Sequence, residues 1–460
     1  VSSPQRIVIL GGGFGGSYCA QKLERLTRRH RDQVILLDRN NYFIFHPLLV
    51  EAGTGSLEPR HAVVPIRAFL KRTVFLMSEV TGVDLASRSV RHRVAESGHE
   101  QTLTFDHLVI ALGSVTRLPP VPGLREYGFE MKSLSDAVGL RDHAIRMLEA
   151  ANAEPDDDRR RTLLRFIVVG ANFTGVEVAG EFDMFLRQAR RYYPHVAAAD
   201  IKIVLVELGH RILTALDESL SDYAASHLRR RGVELMQGTT VQRVESDHVI
   251  LADGQRLGTR TVIWCAGIEP APMIGRLGLP TDHRGYIVCE RDLRVKGFEN
   301  VWAIGDCAVN IDARGQPYPA TAQHAVRQGK HLARNIARVR DGRPTIPCDI
   351  TSQGSLAALG CRTGVAKVFG IKLAGFPAWF LWRTVYLLKM PTWSRRIRIA
   401  LDWTLDLFFH RDIVQLGVHR RVGNSTRADS AQQSSEARQQ GTVAAAAARG
   451  DRQGEATVSR

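Results

Sequence analysis

RIVILGGGFGG, residues 6–16, decides the fold. Arg6 is followed by four aliphatic residues that read as a buried strand, and the glycines break that strand abruptly. Residues 17–28 carry helical spacing, and residues 34–37 form a second apolar run ending at Asp38. Strand, glycine turn, helix, strand and acid, in that order, predict a dinucleotide-binding βαβ unit. Gly11 serves the tight turn, Gly13 lets the backbone approach a pyrophosphate, and Gly16 lets the helix pack close to the sheet. Free N–H groups at the helix start face the phosphates, and Asp38 accepts from a ribose.

The same grammar recurs. An apolar run from Phe166 meets Gly170-Ala171-Asn172-Phe173-Thr174-Gly175, a helix is expected from Val176, and a strand over 203–206 ends at Glu207. Asn172 stands where the middle glycine would be. Asparagine tolerates left-handed backbone better than most residues, so the turn is expected to survive. Glu207 bonds a ribose diol and repels a 2′-phosphate, which favours NADH over NADPH, although Arg211 lies close by. Residues 300–306 then read as a strand running into Gly305-Asp306, which puts a carboxylate at a strand's C-terminal edge. Residues 321–329 open a helix whose N–H groups suit negative charge. At 460 residues the chain has room for more than one core, so the fold expected is α/β with two Rossmann-like domains.

The net charge of +15 attracts anionic surfaces, whether lipid headgroups, nucleic acid or phosphate-bearing cofactors. Six cysteines are dispersed without a C-x-x-C, so neither a disulfide framework nor a metal cluster is expected, and a reducing compartment is. The start of the chain enters a strand with no visible secretory signal. Residues 153–162, with Asp156 to Asp158 followed by Arg159 to Arg161, read as a solvated loop. Residues 374–388 and 397–409 are apolar and aromatic, flanked by lysine and arginine, and shorter than the ~20 residues of a spanning helix. They suit helices lying in a headgroup layer and attracted by anionic lipid. A pair of buried helices over the first domain is the alternative. From Gly423 onward periodicity ends, and residues 423–460 are expected to be a disordered tail.

Taken together, the motifs resemble those of the type II NADH:quinone oxidoreductases, single-subunit, non-pumping NADH dehydrogenases within the two-dinucleotide-domain flavoproteins. The resemblance spans residues 6 to about 420. GGGFGG at 11–16 is followed in the family's order by FHPLLVEAGTGSLEP at 45–59, VPIR at 64–67 and ALGS at 111–114. RRRTLLRFIVVGANFTGVEVAGEF at 159–182, VELGHRIL at 206–213, TVIWCAG at 261–267, AIGDCA at 303–308 and AQHAVRQG at 322–329 come next. GIKLAGFPAW at 370–379 resembles the approach to the family's membrane-binding region. The resemblance implies a discontinuous FAD domain (1–125 and 292–350), an NADH domain (126–291) and a docking region (351–422).

Carried residue by residue, the resemblance places non-covalent FAD on Gly11, Gly12, Gly13, Phe14, Gly15, Gly16, Asp38 and Arg39. Asp306 would meet the ribityl chain, Ala111 and Gly113 would also bind FAD, and Ala322 and Gln323 would sit beside the isoalloxazine, with His46, Pro47 and Lys372 in or near its surroundings. NADH would lie on Gly170, Gly175, Glu207 and Gly267, and the quinone near Gln323, Arg327 and Gln328. Glu177 matches a glutamate that the family places near the flavin for hydride and proton handling; read alone, it is an exposed acid in a helix's first turn. Arg327 replaces a glutamine of the family pattern. The resemblance further implies peripheral attachment at the cytoplasmic face of a bacterial cell membrane, an anionic lipid surface and a quinone as partners, no nucleic acid, and a homodimer.

Rival readings differ in their needs. A disulfide reductase of this fold carries a C-x-x-x-x-C after the first unit, and residues 39–57 hold no cysteine. A sulfide:quinone oxidoreductase needs cysteines flanking the flavin, yet none lies between Cys19 and Cys265. A reductase of soluble acceptors, or a nucleotide-sensing membrane adaptor without catalysis, completes the alternatives.

Overall fold

In the computed structural model residues 3–417 are described; the expected tail, 423–460, lies outside them. Ile7, Val8, Ile9 and Leu10 are buried on both faces, so Arg6–Leu10 is a central strand. It pairs in parallel with Gln33–Asp38 on one side and His107–Ile110 on the other. The seven-stranded sheet runs, by strand, 301–303, 107–110, 6–10, 33–38, 74–84, 89–94 and 100–104. Its edge strand Val301–Ala303 comes from the far end of the sequence and pairs with His107–Ile110. That return brings Asp306 to the same sheet edge as Gly11.

A second, five-stranded parallel sheet has the order 128–129, 261–264, 165–169, 202–207 and 234–237. Its central strand, Arg165–Val169, pairs with Lys202–Glu207 and Thr261–Trp264. A third unit follows. Strands Gly354–Ala358, Gly364–Val368 and Ile371–Gly375 form an antiparallel sheet, and helices Phe376–Lys389 and Trp393–Phe408 complete it.

Element boundaries departed from the sequence reading where capping decides them. The glycine-loop helices are Phe14–Leu26 and Phe173–Ala189, each starting three residues before the expected first position. Residues 153–162 are not a loop. Asp157–Leu164 is a helix capped by Asp156, whose Oδ1 accepts from Arg159 N at 2.8 Å. Asp157 and Asp158 sit at its positive end, and Arg161 reaches back to Asp158 at 3.0 Å. The charge run is therefore helical pairing. Residues 371–375 are strand, so the first terminal helix starts at Phe376 with Pro377 in its first turn.

Helix Ala322–Arg340 crosses Phe14–Leu26 at a glycine. A Cβ on Gly329 would stand 2.3 Å from Gly15 O and 3.1 Å from Cys19 N, both backbone atoms that cannot swing aside. We therefore expect Gly329→Ala to destabilise the chain by about 1–3 kcal/mol through forced separation of the helices. Denaturant unfolding measures this, and an unchanged midpoint would show that the helices do not meet there.

Candidate active site

The first glycine loop is shaped by three contacts. Gly11 has φ +99°, and a Cβ there would lie 2.3 Å from Ala111 O. A Cβ on Gly16 would meet Gly11 O at 1.9 Å, so only glycine lets the helix begin this close to the strand end. Above Gly13, by contrast, nothing lies within 4 Å, which leaves an open floor for a diphosphate. Asp38 grips the loop: Oδ2 accepts from Gly12 N at 2.6 Å and Oδ1 from Asn40 N at 2.7 Å. Burial raises its pKa, while those bonds and exposed Arg39 oppose the rise.

Further along the cleft, Phe14 packs edge-on against Phe43 and Phe45, with the His46 ring at 6.0 Å and Pro47 next in the chain. His46 opens onto the cleft but is ringed by protein; desolvation, then Lys132, pushes its pKa down to about 4, so it is neutral at pH 7. Lys132 Nζ donates to Ser114 Oγ at 3.1 Å, which donates to Asp306 Oδ2 at 3.2 Å. Gly113, at φ +67°, and Ala111 complete this wall. The open N-terminus of Ala322–Arg340, capped by Thr321, presents Ala322 and Gln323. An open floor above Gly13, an acid at a strand end and a second acid beside a helix N-terminus fit FAD. Lys132 belongs to no motif, and nothing in the sequence singles it out.

The second loop repeats the construction. Gly170 has φ +96°, and a Cβ on Gly175 would meet Gly170 O at 1.8 Å. Asn172 does not use left-handed backbone; its φ and ψ of −74° and −173° are extended. Its side chain is the helix cap, accepting from Gly175 N at 3.1 Å and donating to Cys265 O at 2.7 Å. The asparagine thus replaces conformational freedom with a lock. Glu207 mirrors Asp38, accepting from Ala171 N at 2.6 Å and Gly209 N at 2.8 Å. Arg211 donates to Thr214 O and Leu216 O. Gly267, at φ +85°, follows the adjoining strand Thr261–Trp264.

Early in the helix that follows the second loop stands Glu177. It is half-buried rather than exposed, and Oε1 accepts from Ala358 N of the C-terminal sheet at 3.2 Å. Burial pushes its pKa up to about 8; Ala358 N and the Trp382 indole oppose this, while Glu51 and Glu181 add to it. One turn on, a Cβ at Gly180 would meet Leu359 O at 2.3 Å, which is how the third unit comes so near. Helix Phe376–Lys389 adds Trp382 and Tyr386; the two rings are 5.0 Å apart, and Tyr386 lies 6.2 Å from Phe45.

The other expected residues scatter. Gln328 is buried, its Oε1 accepting from Gly305 N at 2.8 Å, so it supports the Asp306 turn. Arg327 donates to Thr351 O. Lys372 Nζ lies 3.4 Å from Asp217 Oδ1, beside Lys367, at the seam between the C-terminal sheet and the second lobe. Gln323 remains at the cleft-facing helix start.

The terminal helix inverts the simple reading of its acids. Trp393, Ile397, Leu401, Leu405 and Phe408 form an exposed apolar stripe at helical spacing. Asp402 and Asp406 turn inward: Asp402 lies 2.5 Å from His61 Nδ1, and Asp406 faces Arg383 and Arg411. Among the described residues, no helix is long and apolar enough to cross a membrane.

The chain is similar to known proteins along most of its described length. The pyridine nucleotide-disulphide oxidoreductase family model matches residues 5–329, and the NDH2 C-terminal domain model matches residues 352–412. Demethylphylloquinone reductase NdbB of Synechocystis sp. is 34% identical over 405 residues, 86% of this chain and 95% of that protein. Type II NADH:quinone oxidoreductase of Staphylococcus aureus is 31% identical over 389 residues, 83% of this chain and 94% of that protein. NDH2 from Plasmodium falciparum, solved in complex with NADH, shares the fold at TM-score 0.81 with 20% identity, covering 89% of this chain and 99% of that one.

Asp38→Ala leaves the Gly12 and Asn40 N–H groups without their acceptor, a loss of about 1–3 kcal/mol at the loop. Flavin affinity is expected to fall at least about tenfold, read from flavin released on dilution; unchanged retention would remove Asp38 from the site.

Proposed function

This chain belongs to the pyridine nucleotide-disulphide oxidoreductases and, within them, to the type II NADH:quinone oxidoreductases, and from that membership we propose how its residues divide the work. The enzyme oxidises NADH by hydride transfer to FAD and passes two electrons to a quinone without pumping protons. When bound, the flavin supplies the two-electron relay.

The residue roles are our reading. Gly11 to Gly16 and Asp38 would hold the adenine end and diphosphate of FAD, and Asp306, positioned by Ser114 and Lys132, would meet its ribityl chain. Gly170, Gly175 and Glu207 hold NADH, and the carboxylate of Glu207 disfavours a 2′-phosphate. Neutral His46 and the aromatic wall of Phe45, Trp382 and Tyr386 keep the meeting place apolar. Glu177 holds a proton there, and Gln323, at the start of helix Ala322–Arg340, would serve the quinone. The observation that carries this reading is the paired construction of the two glycine loops, with Glu177 on the helix after the second and bonded from the third unit. A sulfide relay is disfavoured: no cysteine lies between Cys19 and Cys265, and the groups that tune Glu177 are an amide, an indole and carboxylates.

Docking is read from the terminal helices. The exposed stripe from Trp393 to Phe408, with Phe376, Phe380 and Leu388, would enter the headgroup boundary of the cytoplasmic leaflet. Lys389, Arg395, Arg396 and Arg398 would meet anionic lipid at its edge. A quinone dissolved in that bilayer would then reach the aromatic wall without leaving lipid.

Two measurements test the reading. Anaerobic NADH should bleach the flavin band, and a lipid quinone should restore it. With its pKa near 8, Glu177 carries its proton at pH 7 and loses it above, so quinone reduction should decline through about pH 8. Glu177→Gln should slow quinone reduction about 100-fold or more and abolish that limb while bleaching continues. A variant with the wild-type rate and limb would strip Glu177 of the role. Separately, Leu401→Asp with Leu405→Asp should weaken vesicle binding at least about tenfold, since each apolar side chain contributes roughly 1.5 kcal/mol or more when buried. Equal co-sedimentation of variant and wild type would refute docking through this stripe.

A further inference from the structure

Behind Glu177 lies a cluster of buried charges drawn from four helices and from the segment that follows the last of them. Glu51, from Leu49–Gly53, is buried; its Oε2 accepts from Trp403 Nε1 at 2.7 Å and its Oε1 lies 3.7 Å from Arg383. Arg383, held between the rings of Trp379 at 4.5 Å and Trp403 at 4.7 Å, also reaches Asp406 at 3.8 Å. Buried Arg411 closes the set, with Nη2 2.8 Å from Glu181 Oε2 and Nε 3.4 Å from Asp406 Oδ1. Glu181 stands one turn beyond Glu177 on the same helix. Arg141 borders Arg411, but its guanidinium donates to Asp412 O and is balanced by Asp142, Asp412 and Glu58.

Four carboxyls, those of Glu51, Glu177, Glu181 and Asp406, thus face two guanidiniums, those of Arg383 and Arg411. Ionising all four would leave an excess of negative charge in a desolvated place, so the cluster retains protons at neutral pH. Geometry says where. Glu181 has a close arginine partner, and Asp406 has both arginines. Glu51 has one long contact and a neutral donor, and Glu177 has a backbone amide. The protons that the arginines leave unbalanced fall on these two.

We propose that Glu51 is a positioning residue for proton delivery, its carboxyl charge setting how tightly Glu177 holds the proton used in quinone reduction. The inference rests on the role given to Glu177 above. In NADH + H⁺ + Q → NAD⁺ + QH₂ the hydride brings both electrons and one proton, and solvent supplies the other. That second proton leaves the Glu177 O–H bond as a quinol O–H bond forms, and solvent reprotonates the carboxylate. Burial, partly offset by Arg383, pushes Glu51 up to about 7, so above neutrality it is charged and repels a charge on Glu177. Tyr386, which Glu177 also disturbs, completes the titratable groups around the pair.

Glu51→Gln tests this in the holoenzyme by two readouts. The alkaline limb of quinone reduction should move to lower pH by about half a unit or more, because Glu177 loses a repelling neighbour, while flavin bleaching by NADH is unchanged. A carboxyl that binds its proton more tightly when folded supports the fold below its ordinary pKa of 4.5 and loses that support as pH rises through its folded value, about 7. The decline of thermal midpoint over that window should therefore be shallower in Glu51→Gln. Trp403→Phe, which keeps the carboxyl and removes its indole donor, should extend the decline to higher pH, and it decides the matter if Glu51→Gln does not fold. Limb and decline that both overlay the wild type in Glu51→Gln, or an unmoved decline in Trp403→Phe, overturn the proposal. A wild-type profile lacking the alkaline limb would instead defeat the reading of Glu177.

Discussion

Everything in this molecule depends on two places where a helix starts almost on top of a strand end. At Gly16 the space for a side chain is taken by the carbonyl of Gly11, and at Gly175 by that of Gly170. A methyl group at either position would tilt the helix away, and with it the N–H groups that face a diphosphate. The acids at the ends of the second strands work on the same scale. Asp38 and Glu207 each bond to the loop's own backbone, so the acid proposed to meet a ribose also fixes the turn. Shape and ligand recognition are therefore not separable in either loop.

Two such lobes would bind two nucleotides without making them react. What joins them is the third unit, and it does so through close approach again. Gly180 and Gly360 let the C-terminal sheet touch helix Phe173–Ala189 backbone to backbone, with a Cβ on Gly360 only 2.5 Å from Gly180 O. That approach delivers Ala358 N to Glu177. The return of strand Val301–Ala303 to the first sheet does the corresponding work on the other side, carrying Asp306 and the start of helix Ala322–Arg340 to the cleft. The reacting centre is thus assembled from segments far apart in the chain.

That assembly explains what could be read in the sequence. The glycine loops, their strands and their terminal acids are local patterns, and periodicity with turn chemistry exposes them. The family resemblance brought Glu177 forward, where its position alone pointed to an ordinary exposed acid. Lys132 and Glu51 escaped a functional reading because their significance is tertiary: one lies in a motif-free connection, the other among apolar residues of a short helix. Asn172 misled differently. Its tolerance of left-handed backbone suggested conformational rescue, whereas its amide gave a cap and a cross-link to Cys265. Residues 153–162 misled because three aspartates before three arginines look like solvated charge, although that order also suits a short helix with its dipole satisfied at both ends.

The terminal helices carry this logic to the surface. On Trp393–Phe408 a globular helix would turn its leucines inward and its aspartates outward, and here much of that order is reversed. Burying Asp402 and Asp406 against His61, Arg383 and Arg411 is favourable only because those partners exist, since an isolated buried carboxylate is far costlier than an exposed one. Leaving a row of large apolar side chains in water is likewise unfavourable unless another phase covers them. Both costs fall when the same helix presents its apolar stripe to lipid and its acids to the protein. Asp406 and Trp403, which anchor the helix inward, also belong to the cluster behind Glu177, so the surface proposed to meet a bilayer and these buried carboxyls share partners. Any tilt of these helices on docking would shift Arg383, which lies between two indole rings and within 4 Å of two acids.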